Sequence, residues 1–555
     1  MVIIGLSHGH DAGATLFKDG EIIVSISDER LTRTKKNYGF FSNVIATKSI
    51  DYCLEYANLS IDDVDYIFFN TTNPKPDVLY CLKYYYNIDS NKIIYVTHHL
   101  SHAATSVFTS EFEDVVIVVS DALGEDPIYG DYGWRSFEEK GFNLVEHEDI
   151  ESTFGEGWSI YHYKNGEFFN LEKKWVDSNG QFKQLKDCSI GYLYECGTEQ
   201  LVGGLTIGSA GKLMGLASFA DKDWVSKQER NHKIIYDNLS IKGELFYPEI
   251  NHNSPFQIKS NVAGLYQREQ EECSHFLVEK SKKLSNSNNI TVAGGSFLNC
   301  TTNSNIVKSN LFESHHFFAS SDDSGISLGC ALYGAYTMSS VNRKKFFSPY
   351  LGREYSREEI LNELEKHNYL NYNEITDFTQ LTDIVTNQII DNKIIGWFQG
   401  RSEIGPRALG NRSILANAST PWISDYINGE IKKREWYRPF APSVLYEYQS
   451  EIFDLDYFSP YMLLTAEVNT EWRNKIPSVT HIDNTSRYQS VTKDTNERFY
   501  DLISEFNNKT GIPLLLNTSF NGPTEPIVES PKDAINTFLE VGLDILVIND
   551  FVITR

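Results

Sequence analysis

The sequence predicts an α/β fold in two parts, from three observations. Short apolar runs of strand length alternate with helical stretches along the whole chain. The chain opens on two apolar runs joined by Asp19-Gly20, a strong short-range hairpin signal. A polar, basic stretch at 341–356, VNRKKFFSPYLGREYS, interrupts the alternation, which then resumes. At about 150 residues per domain, 555 residues allow roughly three to four units or two large ones. The interruption favours two, 1–345 and 346–555.

The elements follow in order. VIIGLS forms the first strand, and ATLFKDGEIIVSISDER forms the hairpin and leads into a helix. Further strands are expected at 65–70, 93–96, 115–120 and 290–293, with helices at 44–57 and 269–284 between them. Beyond the interruption come a helix at 357–367 and strands at 394–398, 513–516 and 545–548. No solenoid-length repeat and no low-complexity tract is visible.

Composition excludes several classes. Hydrophobic residues make up 41% and aromatics 13%, enough for packed cores rather than disorder. The formal charge is −25, which argues against a surface that binds nucleic acid as a whole. One local basic pocket remains compatible with it. The longest aliphatic runs, such as 115–119, fall far short of the roughly 20 residues of a membrane span. The N-terminus carries no basic, signal-like region. The seven cysteines are scattered without a CxxC pair, as expected of free thiols in a cytoplasmic protein.

Five motifs carry chemistry. His98 and His102 stand four apart in HHLSHA, so on a helix both imidazoles share one face, as two ligands of one metal would. Asp121 follows the buried-strand pattern VVIVVS, and Asp322 and Asp323 sit before a Ser-Gly turn. Two histidines with two carboxylates and no cysteine suit Fe(II), Mn or Zn. His10 stands beside Asp11 in the first turn, as a base or orienting donor would. Gly294 and Gly295 follow a strand, where a backbone can approach a nucleotide closely. The densest signal is 396–440. Five arginines and two lysines there face four acids, with Arg401, Arg407 and Arg412 interleaved with glycines. Flexible glycines with forked guanidiniums suit phosphate recognition.

With these residues assembled, the chain resembles the O-carbamoyltransferase family, which includes nodulation-factor and antibiotic-tailoring enzymes. The matching signatures are HDAGA (10–14), DERLTRTK (28–35), HHLSHA (98–103), GKLMGLASFA (211–220), AGGSFLNC (293–300), GWFQGRSEIGPRALGNRS (396–413), KKREWYRPFAPS (432–443) and LLNTSFN (515–521). The resemblance implies an N-terminal actin-like domain, a duplicated ribonuclease-H-like fold, followed by a C-terminal YrdC-like domain. It implies that the second domain makes carbamoyl-adenylate from carbamoyl phosphate and ATP, with Mg accompanying the nucleotide. It implies that the first domain transfers the carbamoyl group to an acceptor hydroxyl at a divalent metal, Fe(II) with Mn or Zn as alternatives.

By position, the resemblance makes His98, His102, Asp121 and Asp323 the metal ligands and His10 the histidine beside the transferred group. It places Lys35, Gly294 and Gly295 near the adenylate in the first domain. It places Arg407, Lys432, Arg438, Arg487 and Ser519 around carbamoyl phosphate and ATP in the second. Asn484 stands where the family has a glycine, and Asp322 rivals Asp323 as the metal carboxylate. The competing readings are a tRNA threonylcarbamoyl-type transferase and a non-catalytic ATP-binding switch. The acidic charge disfavours the first, and the His/Asp set is surplus to the second. The expected partner is a small molecule bearing a hydroxyl, with no nucleic acid and no membrane; homodimer formation is left open. Aromatics at 125–200, including Trp134, Trp158 and Trp175, suit either acceptor stacking or a packed insertion.

Overall fold

Asp19 and Gly20 both take positive φ, 50° and 98°, the pair a tight primed turn requires. They fold β2 (Gly13–Lys18) back onto β3 (Glu21–Ser27). This hairpin opens a computed structural model that describes residues 1–38, 47–71, 75–122, 124, 135–136, 154–177, 184–203, 209–229, 232–235, 239–339, 341 and 346–555. Trp134 and the beginning of the helix expected at 44–57 lie outside the described residues. The chain divides into unit 1, Met1–Glu29 with Lys36–Phe347, and unit 2, Arg30–Lys35 with Ser348–Arg555.

Unit 1 contains one sheet plan twice. In the first copy β1 (Val2–His8) pairs antiparallel with β2 and parallel with β4 (Tyr66–Thr71). Strand β5 (Ile93–Tyr95) continues in parallel, giving the order β3-β2-β1-β4-β5, with β7 (Arg135–Ser136) at the edge. In the second copy β6 (Asp114–Ser120) pairs antiparallel with β8 (Phe154–Lys164) and parallel with β13 (Asn289–Ala293). The order there is β9-β8-β6-β13-β14, with β9 (Glu167–Asp177) and β14 (Ser314–Phe317) outermost. Each copy thus has a three-stranded antiparallel meander extended by two parallel strands. This is the duplicated plan implied for the first domain.

Two buried helices lie between these sheets. Ile326–Met338 packs on β1, β2 and β4, His98–Phe108 packs on β6, β8 and β13, and the helices pack on each other. Their contact is close at Gly329, where a Cβ would stand 2.1 Å from the Ser101 carbonyl oxygen. A small third sheet joins β10 (Gln184–Cys188), β11 (His232–Ile235) and β12 (Ser240–Glu244). The helix expected at 269–284 is longer, Phe256–Ser285, because the polar turns before it complete an amphipathic face against the core.

Unit 2 is built on a nine-stranded mixed sheet. Its members are β15 (Asn371–Glu374), β16 (Ile395–Phe398), β17 (Arg412–Ala416), β18 (Ala441–Leu445), β19 (Leu464–Glu467), β20 (Thr485–Val491), β21 (Leu514–Ser519), β22 (Ile545–Ile548) and β23 (Phe551–Thr554). The order is β15-β23-β22-β16-β17-β21-β18-β20-β19. Helices Phe378–Ile390 and Glu497–Thr510 cover it, burying Leu381, Val385, Phe499 and Phe506 against Trp397, Leu415 and Val547. The helix after the interruption begins at a Ser356/Glu359 capping box. No helix among the described residues is long and apolar enough to cross a membrane. Six cysteines are described as free, and all six are buried.

Candidate active site

The helix His98–Phe108 starts directly after β5 and is buried along its length. His98 and His102 lie one turn apart on it, with ring centroids 4.8 Å apart. Asp121 follows the last residue of β6, and Asp323 opens the short turn before Ile326–Met338. The four side chains converge. His102 Nε2 lies 3.3 Å from both Asp121 Oδ2 and Asp323 Oδ1, and His98 Nε2 lies 3.8 and 3.6 Å from the same two atoms. One donor atom from each residue falls within 4.8 Å of every other. Two imidazole nitrogens and two carboxylate oxygens so arranged suit a first-row divalent ion.

Neighbouring groups orient these donors. Asn70 donates its amide to the Val96 carbonyl at 2.8 Å, which turns its own oxygen toward His98 Nδ1 at 3.0 Å. His98 therefore keeps a proton on Nδ1, which leaves Nε2 as the nitrogen that faces the cluster. The Ala122 amide donates to Asp121 Oδ1 at 2.7 Å and the Gly295 amide to Oδ2 at 3.4 Å. Gly294 has φ 94°, and a Cβ there would lie 2.2 Å from the Ser120 carbonyl oxygen. Only glycine lets this loop close on the strand end. Gly294 and Gly295, read as nucleotide-approach residues, thus also seat the Asp121 carboxylate. Asn70→Ala should weaken divalent-metal binding by about 10- to 100-fold without unfolding the protein, measured by competition with a chromophoric chelator. Unchanged affinity would deny Asn70 this orienting role.

The cluster is internally charge-balanced. Burial opposes charging of His98 and His102, but the Asp323 and Asp121 carboxylates outweigh it and raise both imidazoles. The facing histidines in turn hold Asp121 and Asp323 below the usual carboxylate range despite burial. A divalent cation would replace these protons, so binding releases them and strengthens as pH rises.

Asp323 also faces outward from the cluster. Its Oδ2 lies 3.4 Å from His10 Nε2, which is 3.3 Å from Asp11. Asp11 is buried, and Lys36 Nζ donates to both its oxygens at 2.6 and 2.5 Å. Asp322 turns the other way, 3.7 Å from Lys36 and accepting from the Ser324 hydroxyl at 2.5 Å. Of the two adjacent carboxylates, Asp323 is the one that joins the histidines.

Glu195 was not singled out in the sequence. It lies on the helix Ile190–Val202 one turn after Gly191, where a Cβ would sit 2.6 Å from the Asp121–Ala122 backbone. Burial, then Asp121 and Asp323, push its carboxyl up to about 7, against His10 and Lys36. The only trace in the sequence is one acid on the inner side of the otherwise apolar turn IGYLYEC. Between about pH 4.5 and 7 the folded state therefore holds this proton more tightly than the unfolded state, so stability falls as pH rises through that window. In metal-free protein the loss should be on the order of 3 kcal/mol from this group. Glu195→Gln should recover most of it at pH 8.5 and change little at pH 4.5, read from denaturant midpoints. Equal effects at both pH values would reject this account.

Unit 2 gathers cations. Lys432 is buried, and its Nζ donates to Asn521 Oδ1 at 2.8 Å, to the Asn521 carbonyl at 3.0 Å and to the Ser519 carbonyl. Burial and neighbouring cations, Arg434 first, push Lys432 down. Burial, then Arg438 and Arg487, push Arg434 down to about 9. Lys432, Arg434, Arg438 and Arg487 thus share one region beside Ser519, and Arg434 is a member the sequence reading did not name. The interleaved arginines divide differently from the expectation that all three bind phosphate. Arg412 is fully buried and spends its guanidinium on the Gln399, Gly400 and Asn411 carbonyls, 3.5 Å above the Phe398 ring. Arg401 donates to the Gly352 and Leu351 carbonyls. Both hold loops together. Arg407 stands two residues after Gly405 in the same glycine-rich loop. Lys35, assigned by resemblance to the first domain, belongs to unit 2, whereas Lys36 belongs to unit 1.

Known proteins share this chain over most of its length. Residues 2–87 and 77–332 match the family described as Carbamoyltransferase N-terminus, and residues 386–555 match Carbamoyltransferase C-terminus. Nodulation protein NolNO of Sinorhizobium fredii is 30% identical over 591 residues, covering 98% of this chain and 79% of its own. The uncharacterized protein MJ1051 of Methanocaldococcus jannaschii is 29% identical, with 100% of each chain covered. Among solved structures, full-length HypF in its phosphate- and nucleotide-bound form is 14% identical, with 62% of this chain and 56% of its own covered at a TM-score of 0.38. Matched by both family domains in their order along the chain, the protein belongs to the carbamoyltransferase family.

Proposed function

We propose that this carbamoyltransferase is an ATP-dependent O-carbamoyltransferase acting in two steps. The observation that carries the reading is the convergence of His98, His102, Asp121 and Asp323 beside His10, all of them residues of unit 1, whereas the clustered cations are residues of unit 2. A carbamoyl group is a poor electrophile, because its nitrogen feeds the carbonyl. Joining it to AMP supplies a good leaving group. In unit 2, Lys432, Arg438 and Arg487 hold the phosphates of ATP and carbamoyl phosphate, with Ser519 and Arg407 beside them. Water takes the phosphoryl group of carbamoyl phosphate, which leaves as inorganic phosphate, and an oxygen of the carbamate so freed attacks the α-phosphate of ATP, giving carbamoyl-adenylate and expelling pyrophosphate.

In unit 1 the four-residue set fits a divalent ion of the Fe(II), Mn or Zn type, whose chemistry when bound is to polarise a carbonyl or steady a phosphate. His98 Nε2, His102 Nε2 and one oxygen each of Asp121 and Asp323 would hold it. The imidazole of His10, held through Nε2 by Asp11 and Asp323, takes on its other ring nitrogen the proton of the acceptor hydroxyl as oxygen attacks the carbamoyl carbon and AMP leaves. Lys36 keeps the Asp11 carboxylate in place. The acceptor is a small molecule bearing a hydroxyl, because a chain of charge −25 repels a polyanion.

The test is an assay of the full chain with carbamoyl phosphate, ATP, a divalent metal and a panel of hydroxyl-bearing sugars and natural products. Pyrophosphate release that needs both carbamoyl phosphate and ATP, followed by a carbamoylated acceptor, is the expected result. Salt-sensitive, sub-micromolar tRNA binding with modification of its adenosine would overturn it.

A further inference from the structure

We propose that Glu156, paired with Lys173, is a positioning residue of the metal centre: it ties the start of the helix that carries His98 and His102 to the loop that carries Asp121. This rests on reading those three residues with Asp323 as the metal ligands. Glu156 lies on β8 and Lys173 on the neighbouring β9, and their side chains are 0% and 1% exposed. Lys173 Nζ donates to Glu156 Oε1 and lies 5.8 Å from the Tyr161 ring centroid and 5.5 Å from that of Trp175. A charge pair sunk this deep gains little stability over apolar residues of like volume. Its place is explained by what the other carboxylate oxygen holds.

Glu156 Oε2 accepts the His99 N–H at 3.1 Å, one of the amides that a helix leaves without an internal partner in its first turn. The N-cap residue Thr97 makes no side-chain cap bond of its own there. A carboxylate in that position also meets the positive end of the helix. His99 Nδ1 lies 2.7 Å from the Ser159 hydroxyl, so β8 grips the same turn twice. On a regular strand Glu156 and Ser159, three apart, would face opposite sides. A bulge between Glu156 and Trp158 removes that difference, and the two residues stand opposite Trp175 and Lys173. The backbone of the same bulge holds the Asp121 loop. The Gly157 carbonyl accepts from the Asp121 amide at 3.2 Å, and the Glu156 carbonyl from the Gly124 amide at 2.7 Å. Gly124 fits between the glutamate and a ligand: a Cβ there would stand 2.9 Å from Glu156 Cβ and 3.2 Å from His98 Cδ2. Two elements that supply ligands thus meet at one residue. His98 opens the helix, so fraying of its first turn would displace Nε2 from Asp121 and Asp323.

The test titrates the metal-free full chain with cobalt(II), an ion that takes the same nitrogen and oxygen donors and absorbs in the visible when bound. Glu156→Leu/Lys173→Met removes both charges together, so neither is left buried alone. It should weaken cobalt binding at least about tenfold and change the spectrum of the bound ion. Glu156→Gln/Lys173→Met keeps an oxygen for the His99 N–H. It should bind within about threefold of the unaltered chain and give the same spectrum. Leu54→Ala, on the helix Thr47–Ala57 that packs on β2 and β3, lowers stability elsewhere and should leave affinity and spectrum unchanged. If the leucine variant does not fold, Glu156→Ala/Lys173→Met takes its place with the same expectation. Affinity and spectrum equal to those of the unaltered chain in that variant overturn the proposal and leave the metal site standing. An equal loss in the glutamine variant overturns it too, because the acceptor for His99 would then not be what positions the helix. An equal loss in Leu54→Ala overturns it by making the effect one of stability. No cobalt bound by the unaltered chain overturns it together with the metal reading.

Discussion

His102→Ala should lose the metal and the transfer step while continuing to make carbamoyl-adenylate. His102 Nε2 is the donor nearest to both carboxylates, 3.3 Å from each. Its removal leaves one histidine between Asp121 and Asp323. Four-ligand structural zinc sites bind with about 10–16 kcal/mol in all, and on that scale one ligand fewer should weaken binding at least about a hundredfold. The two largely buried carboxylates would then lack one of the two facing histidines that keep them ionised, and the metal-free variant should also be less stable at neutral pH. Carbamoyl-phosphate-dependent pyrophosphate release should survive, because its cations belong to unit 2. Metal-to-protein ratio after gel filtration and transfer from supplied carbamoyl-adenylate are the two readouts. A variant that keeps stoichiometric metal and full transfer would falsify the assignment.

Much of this site was legible in the sequence, for local reasons. His98 and His102 announce a shared helix face by their spacing alone, and Asp121 announces a crevice by following a buried strand. The hairpin at Asp19-Gly20 is equally local, since both residues tolerate positive φ. What the sequence hid is long-range. The repeated sheet plan of unit 1 leaves no repeat in the residues, because each copy needs only apolar strands in a given order and the insertions between them differ in length. Glu195 looks like any helical glutamate until the chain places it beside Asp121 and Asp323. The roles of Arg401, Arg407 and Arg412 cannot be separated by spacing. Each has the same fork of donors, and only the fold shows that Arg401 and Arg412 use theirs on backbone carbonyls. The choice between Asp322 and Asp323 is of the same kind, settled by which way a turn points its side chains.

Arg438→Ala should give the converse phenotype to His102→Ala. Arg438 lies in the cation cluster with Lys432 and Arg434, and burial and desolvation hold its guanidinium below its ordinary range. A partly buried cation of this sort, whose ion pair among the described residues is the loose one to Glu435 at 3.9 Å, has its attraction in reserve for an anion. Removing one preorganised donor from developing phosphate charge costs about 2.7–4 kcal/mol, so adenylate formation should fall roughly 100- to 1,000-fold. Arg438→Lys should recover only part of this, because an ammonium cannot make the paired contacts of a guanidinium. Supplied carbamoyl-adenylate bypasses the damaged step, so transfer to the acceptor should proceed at the unaltered rate in both variants. Pyrophosphate release and acceptor carbamoylation, measured side by side with each donor, separate the two steps. If Arg438→Ala loses transfer equally with carbamoyl phosphate plus ATP and with the preformed adenylate, the two steps do not occupy separate sites. The cations of unit 2 would then have to serve the acceptor as well as the phosphates.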